Sequence, residues 1–245
     1  MTPDTTHAEQ PGPASPAQPL GTAASVDLVA VTAEVETHAH GRVPRELRRR
    51  QIIAVADQLF VERGYQATSM DEVAQRSGVT KPVIYDLFGS KEELFRTVMW
   101  QLADELADTL RVAVAAERDP AGRLAAGALA FFTFVRDHWA GWYALLSSDA
   151  TPVTVDVSEI RRRQTDLVID MFAEGARLAD SRVEPALLEA TAHAVNGAYE
   201  SLALWWRNHP EVPAEQLADL VTTLVGPGLV VLATGATDAT PHAST

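Results

Sequence analysis

Residues 69–88 read Ser-Met-Asp-Glu-Val-Ala-Gln-Arg-Ser-Gly-Val-Thr-Lys-Pro-Val-Ile-Tyr-Asp-Leu-Phe, and no other stretch constrains the fold of this 245-residue chain as tightly. They encode two short helices meeting at a sharp turn. Such a unit needs a small residue where the helices cross, a residue tolerant of a left-handed backbone at the turn, and apolar residues behind the second helix. Ala74, Gly78 and the pair Val79/Ile84 fill those roles, with Val73 and Leu87 completing the inward face. Thr80, Lys81, Pro82, Tyr85 and Asp86 remain outward on the second helix. This is the pattern of a helix-turn-helix whose second helix is placed to enter a DNA major groove.

The flanking residues predict starts and stops at matching positions. Ser69 with Glu72 forms a capping box, and Ser90 with Glu93 forms another that opens the next helix. Gly78 ends the first short helix and Gly89 the second. Thr80 is an N-cap for the second, with Pro82 tolerated in its first turn. Ahead of the motif, Arg45 to Arg63 reads as a helix from the spacing of Ile52, Val55/Ala56, Leu59 and Phe60, with Gly64 just past its end. Its start carries Arg42, Arg45, Arg48, Arg49 and Arg50 against Glu46 alone, a cluster suited to phosphate contact.

From about Arg45 to Met99 the chain resembles the tetracycline-repressor (TetR) family of transcriptional regulators. The resemblance rests on Phe60-Val-Glu-Arg-Gly-Tyr65, Ala67-Thr-Ser-Met-Asp-Glu-Val-Ala74, Gly78-Val-Thr-Lys-Pro-Val-Ile-Tyr85 and Phe88-Gly-Ser-Lys-Glu-Glu-Leu-Phe95. It implies an all-α homodimer. An N-terminal three-helix domain would read double-stranded operator DNA, and a helical C-terminal domain would bind a small-molecule effector and dimerise. Carried over by position, Thr80, Lys81, Pro82, Tyr85 and Asp86 correspond to the DNA-facing surface, and Arg45 lies in the basic cluster beside it. Thr68 or Ser69 would touch phosphate, and Lys91 would hold phosphate together with the free N–H groups of its helix start. Asp86 departs from the commoner non-acidic residue. Phosphate repels it, yet it can accept a hydrogen bond from cytosine N4 or orient a neighbouring cation.

Charge needs the same partition. The formal net charge is −13, which on its face opposes DNA binding. Residues 45–100 carry nine bases against eight acids, whereas residues 101–245 carry ten against twenty. The acid lies away from the motif, and the two lysines of the chain, Lys81 and Lys91, both fall within it. A near-neutral reading head predicts modest nonspecific affinity and reliance on dimeric, specific contacts. Absence of cysteine excludes a disulfide framework and thiolate metal sites. No apolar run reaches the ~18 residues that span a bilayer, and the N-terminus lacks a signal-peptide layout. These features predict a cytoplasmic protein with no membrane partner and no metal or other cofactor. No nucleophile elbow, phosphate loop or acid/base pair indicates an enzyme.

The domain reading that follows is a disordered, Pro- and Ala-rich tail over 1–41, with a more apolar Val26–Val35 inside it. The DNA-binding domain spans 42–90, a helical ligand-binding and dimerisation domain spans 91–235, and 236–245 is frayed. Helices are predicted near 91–117, 120–137, 140–148, 158–179, 185–208 and 214–233, with 149–157 a β-branched loop. Asp119-Pro120 and Glu184-Pro185 each pair a cap with proline at the first helical position.

Two further patterns bear on the C-terminal domain. Ala190, Ala194, Gly197/Ala198 and Ser201 make a small-residue stripe closed by Trp205. With Leu217, Leu220/Val221 and Leu224 of the last helix, this stripe predicts a four-helix dimer seam. Beside it, His193, Asn196 and Glu200 are read as the polar wall of an effector pocket whose apolar lining is Phe131, Phe134, Trp139, Trp142, Tyr143 and Met171. That lining suits a hydrophobic or aromatic compound, and the regulator would most often be a repressor released from a palindromic operator.

Overall fold

The computed structural model describes residues 28–38, 43–141, 158–178, 180–181 and 183–234. Among these residues the regular structure is all helix: α1 (Leu28–Glu36), α2 (Arg45–Ala67), α3 (Met70–Arg76), α4 (Lys81–Phe88), α5 (Lys91–Ala115), α6 (Pro120–Asp137), α7 (Ser158–Leu178), α8 (Pro185–Trp206) and α9 (Ala214–Thr234). From residue 142 on, the helix expected over 140–148 lies outside the described residues, as do the loop 149–157 and the final 236–245.

Helix starts fall where side-chain chemistry places them. The Ser69 hydroxyl accepts from the Glu72 N–H at 3.1 Å, Ser90 from the Glu93 N–H at 3.1 Å, and Asp119 from the Gly122 N–H at 2.8 Å. Each satisfies a backbone donor that the first helical turn leaves free. Thr80 sits at the N-cap of α4 with extended backbone but makes no side-chain cap bond. Gly64 (φ 75°) kinks α2 near its end, and Gly78 (φ 64°) and Gly89 (φ 77°) make the turns on either side of α4. A side chain at such a φ costs roughly 1–2 kcal/mol.

One correction concerns the N-terminal segment. Residues 28–36, expected within the disordered tail, form α1 and pack along α2. Val31 is buried, Leu28 rests on the core, and Glu34 pairs with Arg50 at 3.0 Å. A stretch this short is marginal as a helix alone; the α2 surface supplies what local propensity does not.

A single hydrophobic core runs the length of the molecule. Ile52, Leu59, Val73, Ile84, Leu94 and Phe95 close the N-terminal bundle, and Phe132, Trp206 and Ile160 anchor the C-terminal one. The α5 helix belongs to both halves. Leu94, Phe95 and Val98 are buried near its start and Leu106 and Val114 toward its end. In the C-terminal half, α9 packs most extensively on α6, and α6 on α5.

Candidate nucleic-acid interface and internal cavity

The inward face of α4 is closed by Ile84 and Phe88, leaving Thr80, Lys81, Pro82, Tyr85 and Asp86 on the outside together with Val83. Tyr85 is 43% exposed. Cations around this helix are engaged within the protein. Lys81 Nζ lies 2.9 Å from Asp71 Oδ2, and the hydrogen bond and charge of Asp71 push its ammonium above the ordinary lysine value. Arg45 Nη1 lies 3.2 Å from Asp86 Oδ2 and a second guanidinium nitrogen donates to the Asp86 carbonyl at 3.4 Å. Arg48 donates to Gln51 at 2.6 Å, Arg49 lies over the Phe88 ring, and Arg50 meets Glu34. Asp86 is thus the counter-ion of Arg45, 41 residues away in sequence.

Two residues expected to touch phosphate sit differently. Thr68 is 2% exposed, and its hydroxyl donates to the carbonyls of Leu59 (3.2 Å) and Gly64 (2.9 Å). It ties off the kinked end of α2, whereas the neighbouring Ser69 is exposed. Lys91 lies along the Tyr65 ring, 4.2 Å from its centroid, and donates to the Gln66 carbonyl at 3.4 Å. Burial lowers its pKa, while burial and a bond to Glu92 push Tyr65 up to about 12. Tyr65 itself stacks with Phe60 and meets Phe95 edge-on at the foot of α5.

At the other end of the molecule lies a cavity of about 690 Å³. It is walled by the far half of α5 (Leu106, Leu110, Val114), the start of α6 (Leu124, Phe131), α7 (Gln164, Val168, Met171, Phe172), α8 (Leu188, Val195, Asn196, Tyr199, Glu200) and α9 (Thr222, Pro227, Leu229). Nearly all of the lining is apolar. Its polar groups are mostly engaged: Glu200 with Arg161 at 2.7 Å, the Asn196 amide with Thr165 at 3.2 Å, and Arg123 with the Val114 carbonyl at 3.2 Å. The Gln164 amide nitrogen is buried without a partner.

Of the expected pocket residues, Phe131, Met171, Asn196 and Glu200 line this cavity, and three do not. Phe134 is buried a turn beyond it, its ring stacked on His138 with centroids 4.2 Å apart. Trp139 packs against the core, and His193 is exposed on the outer face of α8. Trp142 and Tyr143 lie outside the described residues. Apart from Met171, the α7 wall escaped the sequence reading, although Gln164, Val168, Met171, Phe172 and Gly175 share one helical face.

The outer face of α8 presents Ala190, Ala194, Gly197 and Ser201 to solvent, with Ala198 at its edge and the larger Leu187, Leu204 and Trp205 (44% exposed) beside them. Leu220 and Leu224 (69% exposed) extend it onto α9. Leu217 and Val221, expected on the same seam, are turned into the protomer core at 2% and 1% exposure. The two i,i+4 rows of α9 are adjacent, and the 217/221 row is the one that packs inward.

Comparisons with known proteins meet this geometry at both ends. The family described as bacterial regulatory proteins of the tetR family matches residues 52–98, and the tetracyclin repressor-like C-terminal domain matches residues 120–226. The transcriptional activator FasR of Mycolicibacterium smegmatis is 34% identical over 160 residues, which are 64% of this chain and 73% of that protein. The chain belongs to the TetR family. A TetR-like regulator from Rhodococcus sp. RHA1 is 28% identical, with a TM-score of 0.57 over 77% of this chain and 99% of that one. FadR from Bacillus subtilis, solved with stearoyl-CoA, is 17% identical with a TM-score of 0.59 over 71% and 96% of the two chains, a likeness of fold. This TetR-family chain accordingly has the all-α architecture expected, an N-terminal helix-turn-helix domain followed by a helical C-terminal domain. No helix among the described residues is long and apolar enough to cross a membrane.

Proposed function

We propose that this TetR-family protein is a homodimeric, effector-responsive transcriptional regulator, and that it is a repressor released from a palindromic operator when a hydrophobic or aromatic compound enters the cavity. The observation that carries this reading is the continuity of α5. The helix starts against the reading head, where Leu94 and Phe95 are buried, and ends as a wall of the cavity at Leu106, Leu110 and Val114. A ligand that packs between α5, α7 and α8 displaces the far end of a helix whose near end positions α4. A dimer placing two α4 helices in successive major grooves needs them roughly 34–36 Å apart. The effector weakens operator binding only as far as it favours a protomer arrangement with another spacing.

The ligand class follows from the lining. A cavity of this size and apolarity favours a bulky or extended hydrophobic compound, and the unpartnered Gln164 amide favours one that brings an acceptor oxygen. The seam is the apolar outer face of α8 and α9, where Leu187, Trp205, Leu220 and Leu224 are exposed on the isolated protomer. A second reading, activation, is favoured by the activator name of FasR. Transcription from an operator-bearing promoter, with the protein added to purified polymerase, separates the two by sign. The cavity is tested by displacement of the uncharged dye N-phenyl-1-naphthylamine and by its effect on operator anisotropy. Dye binding that is lost in Val168→Trp, with operator release in wild type alone, is expected; dye binding with unchanged operator affinity overturns the coupling.

A further inference from the structure

The reading head holds two carboxylates beside the cations assigned to DNA. Asp86 stands on the outward face of α4 and Asp71 in the first turn of α3, and both are exposed. Each grips a cation assigned to DNA, Asp86 taking Arg45 at 3.2 Å and Asp71 taking Lys81 at 2.9 Å. The α1 helix adds a third such pair, Glu34 with Arg50. In the free protein these carboxylates hold the cations that would otherwise meet phosphate.

We propose that Asp71 and Asp86 compete with DNA phosphate for Lys81 and Arg45, and that Asp86 thereby determines specificity. This rests on the DNA-binding reading above. On arbitrary DNA, a phosphate must draw the cation away from its carboxylate, and the freed carboxylate then faces the polyanion uncompensated. Random duplex is therefore held by fewer effective cations than the sequence counts. On the operator, the released Asp86 carboxylate can accept from an exocyclic amine such as cytosine N4, which offsets the lost ion pair on that sequence and no other. Discrimination then comes from a penalty on wrong DNA as much as from attraction to the right one.

The test uses the full-length dimer and two duplexes: an operator enriched by the wild-type protein from a randomised pool, and a scramble of it. Affinity is measured by anisotropy as a function of salt for wild type, Asp71→Asn, Asp86→Asn and the double variant. Both side chains are exposed, and circular dichroism checks that the fold is kept. Each single variant is expected to bind the scramble about three- to five-fold tighter, the scale of a surface ion pair. Each freed cation that gains a phosphate steepens the salt slope by about 0.9, so a dimer gains up to about two per substitution. The operator-to-scramble ratio falls in Asp86→Asn and in the double variant, whereas Asp71→Asn, whose carboxylate is assigned no base, tightens binding to both duplexes alike. Unchanged scramble affinity and slope, with the operator still bound, overturns the competition while leaving the regulator reading intact. A uniform loss on both duplexes assigns Asp86 to orienting Arg45 instead and equally overturns it. Failure of wild type to bind any duplex at low salt removes the regulator reading and this proposal with it.

Discussion

The two halves of this molecule solve opposite packing problems. The reading head, α2 to α4 with the start of α5, packs Ile52, Leu59, Val73, Ile84 and Phe95 into its interior together with the small polar residues Thr68 and Ser77, and keeps the ion pairs Arg45–Asp86 and Lys81–Asp71 outside. The effector half leaves about 690 Å³ open between five helices. Short helices carry little burial each, so the head depends on caps, positive-φ glycines and a closed core. The long helices α5 to α9 bury enough surface to hold a cavity between them. Rigid positioning of α4 and adaptability around a ligand are thereby separated in space and joined by one helix.

That contrast is broken most strongly by large-to-small substitution. Ile84→Ala, at 0% exposure in the head, is expected to cost about 2–5 kcal/mol. Met171→Ala, which already borders open space, should cost under about 1 kcal/mol and instead change dye binding. Urea unfolding at fixed protein concentration compares them; equal losses would mean that the cavity is packed like the head.

Glycine gives the next largest contrast, with opposite signs. Gly78 holds φ 64°, so Gly78→Ala should destabilise by roughly 1–2 kcal/mol. Gly197 is helical with nothing within 4 Å of an added Cβ, and Gly197→Ala should stabilise the protomer by about 0.5–1 kcal/mol. If α8 forms the seam, the same change raises the dimer dissociation constant in sedimentation. A change in neither quantity contradicts the assignment of that face.

Caps give a smaller effect. Ser69→Ala removes a 3.1 Å cap bond and should cost about 1 kcal/mol, while Thr80→Ala, which removes none, should change thermal stability little. Equal melting temperatures for the two variants would dismiss the cap at Ser69.

Where the halves meet, Glu105 is held above the usual carboxylate range by burial, opposed by His138 and reinforced by Asp57. The folded chain keeps that proton to higher pH than the unfolded one. Stability from this group is therefore intact below the unfolded pKa and is lost as pH rises through the folded one. Glu105→Gln escapes the loss. It should melt higher than wild type at pH 7.5, with the gap closing toward pH 4; a gap that widens on acidification would reverse the sign of the argument.

Legibility in the sequence follows the same division. The head announces itself because each short element needs a particular residue at a particular place: Ser69, Gly78, Gly89 and Ser90 are visible as turn chemistry before any packing is known. The family resemblance spans the same stretch. Thr68 misled because a hydroxyl beside a predicted helix start reads as exposed, while the kink at Gly64 leaves two carbonyls that draw it inward. The α1 helix was hidden because its stability comes from α2 rather than its own sequence. In the effector half, periodicity located the helices to within a residue or two but could not say which apolar row meets which neighbour. Leu217 and Val221 therefore went to the seam instead of the core, and Phe134 to the cavity instead of the layer above it. A cavity is an absence of side chains at a place set by tertiary packing, so no local pattern encodes it.

The central claim is that the outward face of α4 reads DNA. It is tested most directly by selecting duplexes from a randomised pool with wild-type protein and with Lys81→Ala/Tyr85→Ala, both changes being at exposed positions. The account predicts that wild type enriches a palindrome with half-sites about one helical turn apart and that the variant enriches nothing. Enrichment of the same palindrome by both proteins would contradict it.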